Sequence, residues 1–139
     1  MIAYLDTSSL VKLYVEENNS TLVRRLVESA QVVATSVVAY PEARAAFARQ
    51  RREGGLTAAQ HDRVRDDFEQ DWPRFLAVDV SEAVYRNAGA LAEKHGLRGF
   101  DGIHLASYLS LFREAAWQVQ FSAFDEAMNR AARREARGR

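Results

Sequence analysis

Short apolar runs alternate with longer helical patterns along the 139-residue chain, and this alternation most limits the folds open to it. Each run has the length and residue types of a buried strand. The predicted strands are residues 2–5, 31–35, 75–79 and 117–121. Because the segments between them are long enough to cross over a sheet, the strands are predicted to run parallel. The pattern therefore indicates an α/β fold, with helices flanking a parallel sheet.

Capping residues and apolar spacing define the predicted helices. Thr57 and Gln60 match a capping box, while Ser8 or Ser9, Ser20 and Ser81 are predicted N-caps. The helix after Thr57 carries an apolar stripe at i, i+4 and i+8, formed by Val64, Phe68 and Trp72. This spacing suits core packing and a partner surface equally well.

Composition restricts the classes of protein further. The length suits one domain spanning residues 1–139, and 47% of the residues are hydrophobic. The chain has no cysteine, which excludes disulfides and thiolate metal sites. No segment reaches the roughly 20 apolar residues that span a bilayer, and no signal peptide is visible. We therefore expect a soluble, cytoplasmic protein that makes no membrane contact.

The charges balance overall but are unevenly distributed. The 19 basic and 19 acidic residues give a net charge of zero, which argues against non-specific binding of nucleic acid. Arginines nevertheless cluster at residues 49–52 and 130–139, so a neutral total can conceal a basic rim around an acidic pocket. The arginine-rich end, from about residue 131 to 139, is interpreted as a frayed tail.

Four acidic residues lie at the junctions between predicted elements. Asp6 directly follows the first strand, and Asp125 lies four residues after the last. Asp101 stands in the first turn of a helix after a glycine break, and Glu42 stands early in the helix after the second strand. Sites in parallel sheets form outside the carboxyl ends of the strands. These four acids are therefore predicted to share a pocket.

Carboxylates crowded into one pocket need a cation to remain ionised. Oxygen ligands favour Mg²⁺ or Mn²⁺, and such an ion activates water for phosphodiester hydrolysis. A simpler interpretation is that Asp6 and Asp101 only cap helices and that Glu42 only complements a helix dipole. His104 is interpreted as a histidine packed on a helix face, with proton transfer as the alternative.

Three segments resemble motifs of PIN-domain ribonucleases, most closely the toxins of bacterial VapBC toxin–antitoxin pairs. They are residues 2–10, 100–106 and 121–128, and Glu42 fits the remaining motif. In many members a small hydroxyl residue stands two positions before the last aspartate, where this chain has Ala123 preceded by Ser122. Pro41, directly before Glu42, is a further departure from the family pattern.

The resemblance implies a three-layer α/β/α sandwich with a mainly parallel sheet. It implies a Mg²⁺- or Mn²⁺-dependent endoribonuclease in which Asp6, Glu42, Asp101 and Asp125 form the catalytic and metal site. It further implies an RNA substrate, a homodimer and inhibition by a small antitoxin protein.

Two functions other than this nuclease remain open on the sequence. The first is a PIN-like module that binds RNA or protein without cutting. A phosphatase or receiver domain with Asp6 as nucleophile or phosphoacceptor is weaker, because Ser8 replaces the second aspartate that the phosphatases need. The two lysines, Lys12 and Lys94, do not suit a receiver domain.

Overall fold

One sheet of four parallel strands organises the computed structural model, which describes residues 1–115 and 118–138. Its strands are β1 (Ile2–Leu5), β2 (Val32–Ser36), β3 (Leu76–Val78) and β4 (Val119–Ser122), in the order β3-β2-β1-β4. In register, Ala3 of β1 lies opposite Val33 of β2 and Gln120 of β4. Because every pairing is parallel, the carboxyl ends of the strands meet at one edge.

The predicted parallel sheet is confirmed: the bounds of β1 are as predicted, and those of the other three strands differ by one or two residues. Trp117, predicted to begin the last strand, lies outside the described residues. The helices are α1 (Thr7–Val11), α2 (Ser20–Ser29), α3 (Ala39–Arg52), α4 (Ala58–Asp71), α5 (Glu82–His95), α6 (Gly99–Ala115) and α7 (Glu126–Arg137), with a 3-10 turn at Trp72–Arg74.

The side chains of β1 alternate between two apolar layers, as the pleat of a strand requires. Ala3 and Leu5 pack in a cluster with Leu10, Phe47 and Phe68, which belong to α1, α3 and α4. Tyr4 points to the other face and packs with residues of α5, α6 and α7, including Leu91, Leu105, Leu109 and Ala131. Helices therefore cover both faces of the sheet, and the three-layer α/β/α architecture is confirmed.

The α4 stripe belongs to the core. Phe68 is fully buried and Val64 nearly so, and the Phe68 ring makes an edge contact with Phe47 at 5.5 Å between centroids. The acids Asp62, Asp66 and Asp67 on the same helix are exposed, as the alternating burial of α4 requires. Of the two interpretations left open for the stripe, core packing is the one that the structure shows.

Two helix starts differ from the sequence prediction. The capping box of Thr57 and Gln60 and the N-cap Ser81 are confirmed. At α1, however, Asp6 is the N-cap instead of Ser8 or Ser9, because its carboxylate reaches the Ser9 amide. At α2 the N-cap is Asn19, which has a left-handed backbone (φ 71°), and Ser20 is instead buried with its hydroxyl accepting from the Glu17 amide.

The expected frayed C-terminus is wrong for most of its length. Helix α7 continues to Arg137, and Ala131 and Ala132 are buried against the rest of the protein. Small apolar residues on one face of this helix pack inward, while Arg130, Arg133 and Arg134 on the opposite face are exposed. Arg139 lies outside the described residues. Within those residues, no helix is both long enough and apolar enough to cross a membrane.

We predict that Gly102→Ala destabilises the fold while Gly89→Ala does not. A Cβ at Gly102 would lie 2.6 Å from the backbone oxygen of Ala88, where α6 and α5 pack together. Relief of this clash costs about 1–3 kcal/mol. At Gly89, in the middle of α5, a Cβ meets no atom of the described residues within 4 Å. There alanine is expected to stabilise the helix by about 0.5–1 kcal/mol.

Urea denaturation followed by circular dichroism measures both effects. Equal free energies of unfolding for wild type and Gly102→Ala would show that α5 and α6 are not packed this closely.

Candidate functional site

Asp6 stands at the point where β1 ends and α1 begins. Its backbone N–H donates to the Ser122 carbonyl oxygen at 3.1 Å, which extends the pairing of β1 with β4 by one residue. One carboxylate oxygen, Oδ1, accepts from the Ser9 amide at 2.9 Å and from the Ser8 hydroxyl at 2.7 Å. The helix-cap interpretation is therefore correct for Asp6, and the same geometry fixes its carboxylate at the carboxyl edge of the sheet.

The Asp6 carboxylate is unusually buried for an acid, with only 6% of the residue exposed. This burial raises the pKa of Asp6, although hydrogen bonds from Ser9 and Ser8 and the nearby His104 act in the opposite direction. Burial favours the neutral acid because an ion loses its hydration in a low-dielectric environment. A cation at this carboxylate would supply the charge that the protein itself does not.

Glu42 is presented by the first turn of α3, directly after β2. Pro41, the third residue of that helix, sits in the same turn, where a missing N–H costs little. The Thr7 hydroxyl donates to Oε1 of Glu42, and Nε2 of His104 lies 3.2 Å from the same oxygen. Partial burial raises the pKa of Glu42, but these two bonds, together with the electrostatic effect of His104 and Arg98, outweigh it, and the pKa is lowered overall.

His104 is the residue whose role the sequence did not reveal. It is 2% exposed, and its Nδ1 lies 2.9 Å from the Tyr4 hydroxyl. Burial raises the pKa of the Tyr4 phenol far above its ordinary value, so the phenol stays neutral, and its O–H can donate a hydrogen bond to Nδ1 in the tautomer that has no proton there. Nε2 then carries the ring proton and points it between Glu42 and the Thr7 hydroxyl oxygen, which is 3.0 Å away.

The other two acids lie at helix starts on the same edge. Asp101 occupies the first turn of α6, where Nε of Arg98 lies 3.3 Å from its Oδ2. Asp125 is the N-cap of α7, and its Oδ1 accepts from the Met128 amide at 2.9 Å. Each of these carboxylates therefore also has a local structural partner.

All four predicted acids line one cavity of about 350 Å³, which we call the acidic cavity. Its walls also include Thr7, Ser8, Arg98, His104 and Phe124. The carboxylates are not drawn together around a point, however. Among the described residues, no group of three or more histidine or acidic side chains is arranged to hold a metal ion. Each of the four side chains instead has its own hydrogen bonds or ion pair to other residues.

Ser122 is not directed at the acids in the described structure. Its hydroxyl lies 3.0 Å from the hydroxyl of Ser9, and the Ser9 hydroxyl donates to the Ser122 carbonyl oxygen at 2.9 Å. These bonds tie the end of β4 to α1. Two other hydroxyl residues at the cavity wall reach predicted site acids: Thr7 donates to Glu42, and Ser8 donates to Asp6.

Comparison with known proteins identifies the family. The sequence profile of the PIN domain matches residues 3–133, nearly the whole chain. The ribonucleases VapC45 and VapC49 of Mycobacterium tuberculosis are each 37% identical to it over 110 residues, which cover 79% of this chain and 76% of theirs. The chain belongs to the PIN domain family.

Solved structures show the same fold at lower sequence identity. FitAcB from Neisseria gonorrhoeae superposes on this PIN domain with a TM-score of 0.65 and 21% identity, over 96% of this chain and 94% of the other. The structure of VapBC2 from Rickettsia felis was solved with a DNA fragment from the VapBC2 promoter. It superposes on this chain with a TM-score of 0.57 and 14% identity, over 90% of this chain and 100% of the other.

We predict that Asp6→Asn stabilises the metal-free protein at neutral pH. The raised pKa means that the folded protein binds a proton at Asp6 more tightly than the unfolded chain does. Stability therefore falls as the pH rises from the ordinary aspartate pKa through the raised value. Asparagine removes the charge and keeps an oxygen for the Ser9 amide, so we expect a gain on the order of 1 kcal/mol.

The gain is expected to shrink as the pH falls to about 4, near the ordinary pKa of aspartate. Chemical denaturation in EDTA at several pH values measures it. The exposed Asp66→Asn variant serves as control and should change stability by less than about 0.5 kcal/mol. A loss of stability in Asp6→Asn at pH 7 would show that the ionised carboxylate is already well compensated.

Proposed function

We propose that this PIN domain is a metal-dependent endoribonuclease that hydrolyses RNA phosphodiester bonds. The observation that carries the proposal is the acidic cavity. Four acids from four separate elements line it, namely Asp6, Glu42, Asp101 and Asp125. Two relatives at 37% identity are named ribonucleases. A pocket of carboxylates at the carboxyl edge of a parallel sheet suits chemistry on a phosphate group.

The donors in the acidic cavity suit a hard divalent cation. They are carboxylate oxygens, which Mg²⁺ and Mn²⁺ prefer, and Asp6 is buried without a cationic side chain bonded to it in the described structure. We assign the principal metal contacts to Asp6 and Asp101, with Asp125 completing the acidic cluster. When bound, such an ion would polarise a phosphoryl oxygen and lower the pKa of a water molecule.

Glu42 is suited to orienting the attacking water. Both bonds that it accepts, from Thr7 and His104, fall on Oε1. Within residues 1–115 and 118–138, its other oxygen, Oε2, accepts none, and so it is available to a water in the acidic cavity. The lowered pKa keeps this carboxylate ionised at neutral pH. Attack by water on phosphorus with departure of the 3′ oxygen leaves a 5′-phosphate and a 3′-hydroxyl.

We further propose that the protein is the toxin of a toxin–antitoxin pair and binds a small antitoxin protein. The resemblance of its motifs to VapBC toxins and the structural likeness to VapBC2 from Rickettsia felis support this assignment. The homodimer that the resemblance implies stays a prediction.

A non-catalytic binding module is the second candidate. It is favoured by one observation, namely that the described residues include no cluster of acids already arranged around a metal position. Calorimetric titration of the protein with Mn²⁺ separates the two functions. Heat from binding of the ion in wild type, abolished in Asp6→Asn, supports the nuclease, and the absence of binding in wild type supports the module.

We predict that RNA cleavage requires Mg²⁺ or Mn²⁺ and is lost in EDTA. Asp6→Asn and Asp101→Asn should each lower kcat by on the order of 100-fold or more, because each removes a charge from the proposed metal site. Asp66→Asn, which alters an exposed acid of α4, should cut as wild type does. Gel analysis of a labelled RNA measures the rates, and undiminished cutting by Asp6→Asn would contradict the proposed site.

A further inference from the structure

Most of the large apolar side chains that are exposed in the described structure gather around the acidic cavity. Six large hydrophobic residues are exposed within the described ranges. Four of them, Leu22, Tyr85, Phe100 and Phe124, line cavities that adjoin the acidic one. The other two, Val32 and Leu76, are the first residues of β2 and β3 and therefore lie at the opposite edge of the sheet.

The larger apolar cavity, which we call the Phe100 pocket, lies between α5 and the start of α6. It measures about 610 Å³ and shares Glu42, Arg98 and Asp101 with the acidic cavity. Phe100 is 56% exposed, and the exposed Tyr85 lines the same pocket. Phe100 directly precedes Asp101 in α6, and both residues line this pocket.

A second, smaller cavity, which we call the Phe124 pocket, also adjoins the acidic cavity and has no lining residue in common with the Phe100 pocket. It measures about 240 Å³, runs along β4 and α2, and shares Phe124 with the acidic cavity. Phe124 is 39% exposed and directly precedes Asp125. The acidic cavity therefore adjoins two separate pockets, and each of them is lined by an exposed ring that belongs to the residue before a site aspartate.

Positive charges accompany the two rings. Nζ of Lys12 lies 5.0 Å from the centre of the Phe124 ring, and it also lies 3.6 Å from Glu17. The Arg98 side chain is 88% exposed and stands where the Phe100 pocket meets the acidic cavity. Aromatic faces combined with basic side chains along a groove are the recurrent means of binding single-stranded nucleic acid.

We propose that these three cavities form one groove for single-stranded RNA, in which Phe100 and Phe124 each stack a base on either side of the phosphate at the acidic cavity. This inference rests on the proposed ribonuclease function. It adds that the protein holds the substrate by the bases on either side of the cleaved phosphate. A base-paired helix does not suit the groove, because its bases are stacked on each other and offer no free face to the rings.

The arrangement fits RNA better than an apolar protein surface. A continuous hydrophobic helix or a second copy of the chain would cover the acids together with the two rings. An apolar surface would thereby remove Glu42, Asp101 and Asp6 from water without bringing a further positive charge to them, which is costly. A nucleic-acid strand instead has a base on each side of a phosphate. A divalent ion between that phosphate and the acids would offset the negative charge of both.

The first test replaces each ring by an aliphatic side chain of comparable apolar character. Phe100→Leu and Phe124→Leu should each raise KM for a short single-stranded RNA, cut at one mapped bond, by about 10-fold. We expect kcat to change little, since a flanking base is held equally in the ground and transition states. Leu76→Ala, at the opposite edge of the sheet, is the matched control and should leave KM unchanged.

The second test removes the base instead of the ring. RNA with an abasic nucleotide on one side of the mapped bond should show a raised KM in wild type, with no further rise in the variant that lacks the ring on that side. The same substrate should still respond to loss of the other ring. If loss of a base and loss of the ring on the same side raised KM additively, at both positions, the assignment of a base to each ring would be overturned.

The two proposals fail in different ways. If wild type cuts no RNA, the ribonuclease proposal fails, and the groove is tested by fluorescence anisotropy with a labelled octamer and the same variants. If RNA is cut but both leucine variants keep the wild-type KM, the groove proposal is wrong. A lower molecular mass of these variants in light scattering, with RNA kinetics unchanged, would instead assign the rings to contact between two copies.

Discussion

Strand β1 is paired in parallel on both sides, and the position of the candidate site depends on that pairing. Leu5 lies opposite Ser122 of β4, and the Asp6 amide donates to the Ser122 carbonyl oxygen. On the other side, the Thr35 hydroxyl of β2 donates to the Leu5 carbonyl oxygen at 2.7 Å. The chain cannot shift by a residue here without turning the side chains of β1 to the wrong faces. Asp6 is thereby fixed at the carboxyl edge.

Placing a carboxylate at this position has a cost that the rest of the site offsets only in part. The Ser8 and Ser9 donors satisfy one oxygen of Asp6, yet burial still raises its pKa. At Glu42, by contrast, Thr7 and His104 hold the group ionised. The surroundings of Glu42 therefore stabilise its ionised form, whereas those of Asp6 do so only in part. We propose that the incomplete compensation at Asp6 favours the binding of a cation in the cavity.

The sequence predicted the sheet and the four acids because both depend on local patterns. A short apolar run followed by an aspartate indicates a strand end, and parallel strand ends share an edge. Asp6 and Asp125 were placed in this way, and Glu42 and Asp101 followed from their positions near helix starts. Their shared cavity agrees with this reasoning, while their function as metal ligands is still a proposal.

What the sequence did not predict depends on contacts between distant residues. Tyr4 and His104 are 100 positions apart, and no local pattern indicates their hydrogen bond. The signal available was weak: a tyrosine within a strand that ends at an acid, and a histidine three residues after another acid. The order of α7 was missed for a different reason, because its many arginines suggested a solvated tail and concealed the small apolar residues on one face.

Crystals of the protein soaked in Mn²⁺, with anomalous scattering recorded at the manganese edge, test the central claim most directly. Our account predicts an anomalous peak in the acidic cavity within bonding distance of the Asp6 and Asp101 carboxylates, and its loss in crystals of Asp6→Asn. A fully soaked crystal with no peak there, or with manganese bound only elsewhere on the surface, would contradict it.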